Sequence, residues 1–375
     1  MRVDALDKPG GDLFTVQEFI KAGRNPGPGG FAIFDGELIT DLQADFSGFD
    51  LVHLTNIDRP VDTYHSYRAA RAAGRPVVIT TIHHSYREIA RYEREGRGGA
   101  IGLVSGTLGY SGLEYLRSIV RSARYPQLLV PTIVLATHGM REAQAAVLSG
   151  ARLVMVLTEK ERNDIIADIG DVPAAACVLL RNGFEGDLTS SASGGDASRD
   201  IDVCVVGRIE ARKNQIKILN ALDDLGISGT FAGGENKNHR RYCEEFKRRI
   251  ASSRSVYLGG APHDEIVRIM RRARVHVSAS WFEVSSLVDI EAYLCGCRVV
   301  SSRCGGTHEI LRGRAAEYVD PGSLEDIQRG ILAALARSGN TDAENIDYGI
   351  VESWASIGRK LAVVYHEAIA GAQRA

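Results

Sequence analysis

Short apolar segments alternate with helical ones along most of the chain, and that alternation leaves few ways to fold. Strands that resume after each helix run parallel, and a mostly parallel sheet must be covered on both faces. In the first half Val3 to Leu6, Phe31 to Phe34, Asp50 to Leu54, Pro76 to Thr80, Leu153 to Leu157 and Cys177 to Leu180 read as strands. Gly10-Gly11 turn the chain into a helix that Asp12 caps and Gly23 ends, with Leu13, Val16, Phe19 and Ile20 on one face. Further helices are predicted over Val61 to Ala73 and from Glu159. Between Thr189 and Asp200 the run TSSASGGDASRD has no apolar side chain larger than alanine, a linker composition. Beyond it strands are predicted at Asp202 to Val206, Gly229 to Ala232, Val256 to Leu258, Arg274 to Ser278 and Arg298 to Ser302, with helices from Asn214, Arg241, Asp264, Leu287 and Ser323. The expected division is an α/β domain over 1–184, a linker over 185–200, a second α/β domain over 201–350 and a terminal helix in 351–375. That helix has an apolar side that either domain could cover.

Composition narrows the function classes. A chain of 375 residues, 44% hydrophobic and 25% charged, suits a soluble protein of two domains. Its formal net charge of -2 gives no global basic field, so nucleic acid is not an expected partner. The six cysteines fit no standard zinc spacing, and no metal site is expected. Asp4 and Asp7 stand where a secretion signal would be apolar, and no apolar run reaches the length of a membrane span. A cytoplasmic location follows, with room for a peripheral place at the inner membrane face. Residues 85–126 are locally basic, with Arg87, Arg91, Arg94, Arg97, Arg117, Arg121 and Arg124. They read as a solvated face, or as a contact for an anionic membrane or a phosphate-bearing acceptor.

The chemistry concentrates in SWFEVSSLVDIEAYLCGCRVVSS, Ser280 to Ser302. Ser285-Ser286 followed by Asp289 looks like a capping box that starts a helix at Leu287, leaving Glu283 in the preceding turn. On a helical wheel Leu287, Val288, Ile290, Leu294 and Cys295 share an arc, with Asp289, Ala292 and Tyr293 opposite. Glu291 falls within the apolar arc, so its carboxylate asks for a partner. Arg208 follows a strand end and Lys213 opens the next helix, which makes a fork and a point charge suited to a phosphate.

VVGRIEARKNQ, FAGG at Phe231, YLGG at Tyr257, the Ser280 to Ser302 stretch and GGTHEIL at Gly305 together resemble the C-terminal domain of retaining glycosyltransferases of the GT-B fold, family 4. PGGDLFTVQEFI, FDLVHL, RPVVITTIHH and RNGF resemble its N-terminal half. The resemblance implies two Rossmann-like doubly wound domains facing a central cleft. It implies that Arg208 and Lys213 bind the diphosphate of a nucleotide-sugar donor, that Glu291 binds the ribose, and that Glu283 touches the sugar. Backbone N–H groups of Val284, Ser285, Ser286 and Leu287 would meet sugar or phosphate, and Gly260 would lie near the base. His83 would sit near the anomeric carbon, although the adjacent His84 leaves that assignment open by one residue, and Gly10 and Gly11 would let backbone approach the phosphates or acceptor. No cofactor and no divalent metal is implied, and the acceptor would be a saccharide, a lipid-linked saccharide or a small molecule. Val284-Ser285-Ser286 depart from the glycines usual in the family after the first glutamate. An epimerase of the same fold and a non-enzymatic two-domain sugar or nucleotide binder are the alternatives. A dinucleotide oxidoreductase fits poorly, because GPGGFA contains Pro28 and opens a predicted strand.

Overall fold

The computed structural model describes residues 1–8, 10–25, 33–97, 99–173, 176–184, 199–337 and 346–373, with backbone alone for 99–108 and 372–373. Most of the expected linker, the GPGGFA run and the first half of the strand expected at Phe31 to Phe34 lie outside the described residues. In chain order the elements are α1 (Gly11–Arg24), β1 (Val52–Thr55), α2 (Pro60–Ala72), β2 (Val77–Thr80), α3 (Tyr86–Arg91), α4 (Gly99–Arg124), α5 (Leu129–His138), α6 (Met140–Gly150), β3 (Leu153–Val156), α7 (Glu159–Asp168) and β4 (Cys177–Leu179). They continue with β5 (Ile201–Val206), α8 (Gln215–Leu225), β6 (Gly229–Ala232), α9 (Arg240–Ile250), β7 (Val256–Tyr257), α10 (His263–Arg272), β8 (Ala273–Ser278), α11 (Leu287–Leu294), β9 (Arg298–Ser302), α12 (Thr307–Ile310), β10 (Ala316–Val319), α13 (Leu324–Arg337) and α14 (Trp354–Gln373). The chain forms two compact units, one of Met1–Tyr86, Thr107–Phe184 and Glu352–Ala375, the other of Arg87–Gly106 and Glu185–Val351.

The first unit holds a parallel sheet in the order β1-β2-β3-β4. Its strands are apolar on both faces, as burial on both sides demands. Val77, Ile79, Val154 and Val156 face one core with Ile165, while Val78, Leu153 and Met155 face another built from Phe19, Trp354, Ile357, Leu361 and Val364. The terminal helix α14 therefore packs within this unit, against α1. Gly358 makes the close approach possible, since a Cβ there would stand 2.8 Å from the Cβ of Ala22. His53 ties the two layers, with Nδ1 2.7 Å from the Tyr365 hydroxyl and Nε2 2.9 Å from Thr80 Oγ1. Burial, then the charge of the chain's amino group, push its pKa down to about 3, so the ring is neutral.

Two expectations fail at the start of the chain. Residues 3–8 form turns, not a strand. Arg2 pairs with Asp4 at 2.9 Å and Asp12 at 2.6 Å, and Val3 N donates to Asp62 at 2.8 Å, so tertiary contacts override a four-residue apolar pattern. For the same reason Asp12 is not the cap of α1. Its carboxylate is taken up by Arg2, and Gly10 occupies the cap position without a side chain to contribute. Ile33 and Phe34 also lie outside any strand.

The second unit holds a parallel sheet in the order β10-β9-β8-β5-β6-β7. Numbered within the unit this is the 3-2-1-4-5-6 arrangement of a Rossmann fold, with strand order reversing between β5 and β8. Val203, Val205, Phe231, Val275, Val277 and Val300 pack on Ile218, Leu222, Phe246 and Ile331 of α8, α9 and α13, while α10 and α11 cover the opposite face. Among the described residues, no helix is long and apolar enough to cross a membrane.

Candidate functional site

The loops leaving β5 and β8 carry most of the candidates, at the place where an open parallel sheet binds ligands. Gly207 follows β5 with φ 149°, and Gly233 follows β6 with φ 146°. A Cβ on Gly233 would stand 2.1 Å from the Gly207 carbonyl oxygen, so only glycine lets these loops meet, and Ile209 N donates to Gly234 O at 2.9 Å beside them. A Cβ on Gly260 would stand 3.5 Å from Gly234 Cα, in ordinary contact, so the third loop of the rim is close as well.

Arg208 starts the β5 loop and Lys213 ends a short 3-10 turn, after which Asn214 adopts left-handed φ 62°. The Asn214 amide donates to the carbonyls of Ala279 at 3.1 Å and Pro321 at 2.9 Å, which pins the turn to the β8 loop. Side chains complete the lacing. Lys213 Nζ donates to Glu283, and Arg212 pairs with the same carboxylate at 2.9 Å and with Glu210 at 3.0 Å. Glu210 also pairs with Arg208 at 3.2 Å and accepts from Asn236 at 2.6 Å. Burial alone would raise the Glu210 carboxyl, but Arg212, Arg208, Asn236 and Lys213 outweigh it and hold its pKa at about 2. Glu210 is thus a fixed anion that aims two arginines, and the cluster keeps more cations than carboxylates. Neither Glu210 nor Arg212 stands out in the sequence beyond the alternating charges of RIEARK.

The helix after the β8 loop starts at Leu287, with Ser286 as its cap, whose Oγ accepts from Asp289 N at 3.4 Å. Its first amides have no intrahelical acceptor and point toward the loop, beside Val284 and Ser285. Glu283 leans on the β9 loop, where a Cβ on Gly305 would stand 3.3 Å from its own Cβ. The buried carboxylate of this helix is Asp289, not Glu291, which corrects the wheel. Asp289 is fully buried and accepts from Ser301 Oγ at 2.5 Å and Thr307 Oγ1 at 3.1 Å, with His276 Nε2 at 3.3 Å. Glu291 is half-buried near the rim, 3.3 Å from the exposed His263 ring.

In the first unit the chain after β2 carries Ile82 at φ 46° and then His83. The His83 ring is buried, with Nδ1 2.6 Å from Asp58 Oδ1 and Nε2 3.1 Å from Asp168 Oδ2. Burial opposes its protonation, but Asp58 and Asp168 outweigh it and raise its pKa to about 10. Asp58 is correspondingly held below the usual carboxylate range: burial would raise it, and His83 and His84 prevail. His84 is the more exposed ring, and its Nδ1 lies 2.9 Å from Asp58 Oδ2. Glu161, buried and unforeseen, accepts from Thr81 Oγ1 at 2.5 Å, His83 N at 2.8 Å and Leu157 N at 2.6 Å, joining the ends of β2 and β3. Gly10 caps α1 in extended backbone, and Gly11 has open space where a Cβ would be. Among the described residues no group of three or more His, Cys, Asp or Glu is placed to hold a metal ion. A cavity of 770 Å³ beside β1, lined by Phe19, Phe34, His53 and Tyr365, contains none of the candidates.

The model of the family described as glycosyl transferases group 1 matches residues 189–350, which span this sheet and all three rim loops. Through that segment the chain resembles glycosyl transferases group 1. Curated relatives in keeping with the family are a phosphatidylinositol N-acetylglucosaminyltransferase subunit of Arabidopsis thaliana, 22% identical over 52% of this chain and 45% of its own length, and the glycogen synthase of Mycobacterium tuberculosis, 23% identical over 48% and 45%. The chain spans about half the length of these curated relatives. Among solved structures, Anabaena Alr3699/HepE in complex with UDP and glucose superposes with TM-score 0.61 at 16% identity over 96% of both chains. Sucrose-phosphate synthase from Thermosynechococcus elongatus superposes with TM-score 0.60 at 17% identity, covering 86% of this chain and 75% of its own. The fold is GT-B.

Proposed function

We propose that the protein is a retaining glycosyltransferase that moves a sugar from a nucleotide-diphosphate sugar to an acceptor hydroxyl. One observation carries the reading: Arg208, Arg212 and Lys213 converge with Glu283 and a capped helix start at the strand-order reversal of the second unit's sheet. Arg208 and Lys213 bind the diphosphate and stabilise the charge that grows on it as the anomeric C–O bond breaks. The acceptor hydroxyl attacks the anomeric carbon from the leaving-group side and passes its proton to the departing diphosphate. Glu283 and the amides of Val284 to Leu287 hold the sugar, Glu291 accepts from the ribose hydroxyls, and the base lies near Gly260. This chemistry needs no metal, because cations of the chain neutralise the diphosphate. The neighbouring structure of HepE with UDP and glucose supports a donor of this class.

On the acceptor side, Gly10 and Gly11 let the backbone approach the substrate. His83, expected beside the anomeric carbon, is buried with both ring nitrogens on carboxylates and acts instead by positioning its loop, with His84 the ring nearer to solvent. The acceptor is a saccharide, a lipid-linked saccharide or a small molecule, and the enzyme works in the cytoplasm, at a membrane surface in the lipid-linked case. Lys213→Ala tests the donor assignment: donor turnover should fall at least about a hundredfold with the fold intact. Unchanged turnover would remove the diphosphate from this site.

A further inference from the structure

In the first unit the helical run from Gly109 to His138 buries Leu113, Leu128 and Leu135 and still leaves a broad apolar surface outside. α4 is interrupted at Gly109, φ 62°, and its second half then buries a polar stripe of Glu114, Ser118 and Ser122 at four-residue spacing. Leu116, Ile119 and Val120 lie on the outward side, and on α5 so do Leu129, Val130 and Ile133. These six large aliphatic side chains are each 48% to 67% exposed. The helices are joined by the turn at Tyr125 to Leu128 and by the Tyr115 hydroxyl, which donates to Leu135 O at 3.2 Å. A water-exposed helix normally shows the opposite pattern, with its apolar stripe against the core. An apolar surface shared by two adjoining helices is a contact surface for something absent.

We propose that this surface docks on an anionic lipid bilayer. Charge selects the occupant. Residues 109–138 contain three arginines, Arg117, Arg121 and Arg124, and a single carboxylate, Glu114. That carboxylate is buried and taken up by Arg121 at 2.5 Å and Arg117 at 3.7 Å, while the exposed Arg124 has Asp7 at 3.5 Å. Outward aliphatic residues with arginines on the same helix are the pattern of an interfacial helix, whose apolar side enters the acyl boundary while cations meet the headgroups. The proposal relocates the membrane contact expected over residues 85–126 to the 116–133 surface, and it deepens the lipid-linked acceptor reading without depending on donor chemistry.

Flotation of the full chain with vesicles tests it, because no donor or acceptor is needed. Vesicles with roughly one third phosphatidylglycerol in phosphatidylcholine should carry the protein, and pure phosphatidylcholine should carry far less. Ile119→Asp with Ile133→Asp, both on exposed positions, should lower the bound fraction about tenfold with an unchanged circular dichroism spectrum. Arg117→Gln with Arg124→Gln should remove the preference for anionic lipid. Absence of flotation with either vesicle would overturn the proposal. So would gel filtration showing a dimer that the two aspartates dissociate, since a second copy would then be the occupant. Flotation that survives both pairs of substitutions would overturn it as well.

Discussion

Replacing Asp289 by alanine removes the acceptor that Ser301 of β9 and Thr307 of α12 share, in a buried site that the His276 ring of β8 approaches to 3.3 Å. All four residues are buried, so no water replaces the lost oxygen. Leaving a buried donor without its partner costs about 1–3 kcal/mol, and Ser301 and Thr307 both lose theirs, so the loss is about 2–6 kcal/mol. In a unit of this size 1 kcal/mol moves the midpoint by roughly 2–4 °C, so Asp289→Ala should lower the Tm of the ligand-free protein by roughly 4–24 °C. Glu291→Ala, two residues on, is the control. Its carboxylate sits at the rim against the exposed His263 ring, so the change in stability should stay within about 1 kcal/mol. The same substitution should weaken nucleotide binding by removing the ribose acceptor. Thermal unfolding with and without a nucleoside diphosphate measures both effects. If Asp289→Ala unfolds within about 2 °C of the parent, or if Glu291→Ala is the more destabilising, the account of this helix is wrong.

Gly233→Ala should destabilise the second unit by about 2 kcal/mol or more, because φ 146° and the 2.1 Å approach to Gly207 O both exclude a Cβ; Gly234→Ala, with open space, should unfold near the parent midpoint. Stability should also depend on pH through His83. Its folded pKa of about 10 lies above its unfolded value near 6.5, so its contribution is complete below about 6.5 and is lost as pH rises through about 10. Midpoints of the parent should therefore fall between those limits more steeply than those of His83→Gln. Asp58 gives the acid counterpart. Its lowered pKa contributes stability above its unfolded value and loses it as pH falls through the folded one, so Asp58→Asn should flatten the acid limb of the same titration. Glu210→Gln should leave donor binding weaker although Glu210 touches no donor, since it frees the Arg208 and Arg212 side chains from their shared anion. Isothermal titration with a nucleoside diphosphate checks that loss.

Much of the second sheet was legible from its residues. Gly229 to Ala232 and Arg298 to Ser302 are strands with the limits their β-branched and apolar runs suggest, and Ser286 caps the helix foreseen at Leu287. These segments are locally consistent: propensity, turn chemistry and burial agree. β10 escaped notice because three of its four residues are only half-buried, so it has no apolar run. The wheel of α11 misplaced its buried carboxylate for a different reason. An eight-residue helix packs on several elements, and the donors that make burial of Asp289 possible come from residues 301 and 307, which no local pattern connects. Glu161 was invisible in the same way, since its donors are the ends of two strands. Hydrogen bonds to carboxylates over long separations, Val3 N to Asp62 and Arg59 to Asp4, also erased the strand expected at Val3 to Leu6.

The proposed donor site is tested most directly by thermal unfolding of the parent and Lys213→Ala in a set of nucleoside diphosphates and nucleotide-diphosphate sugars. A ligand at about a hundred times its Kd stabilises the folded state by about 2.7 kcal/mol, which should raise the parent midpoint by several degrees for at least one member of the set. The same ligand should leave Lys213→Ala nearly unmoved. A parent midpoint indifferent to every nucleotide, or an equal rise in the variant, would contradict the assignment of Arg208, Lys213 and Glu283 to a nucleotide-sugar donor.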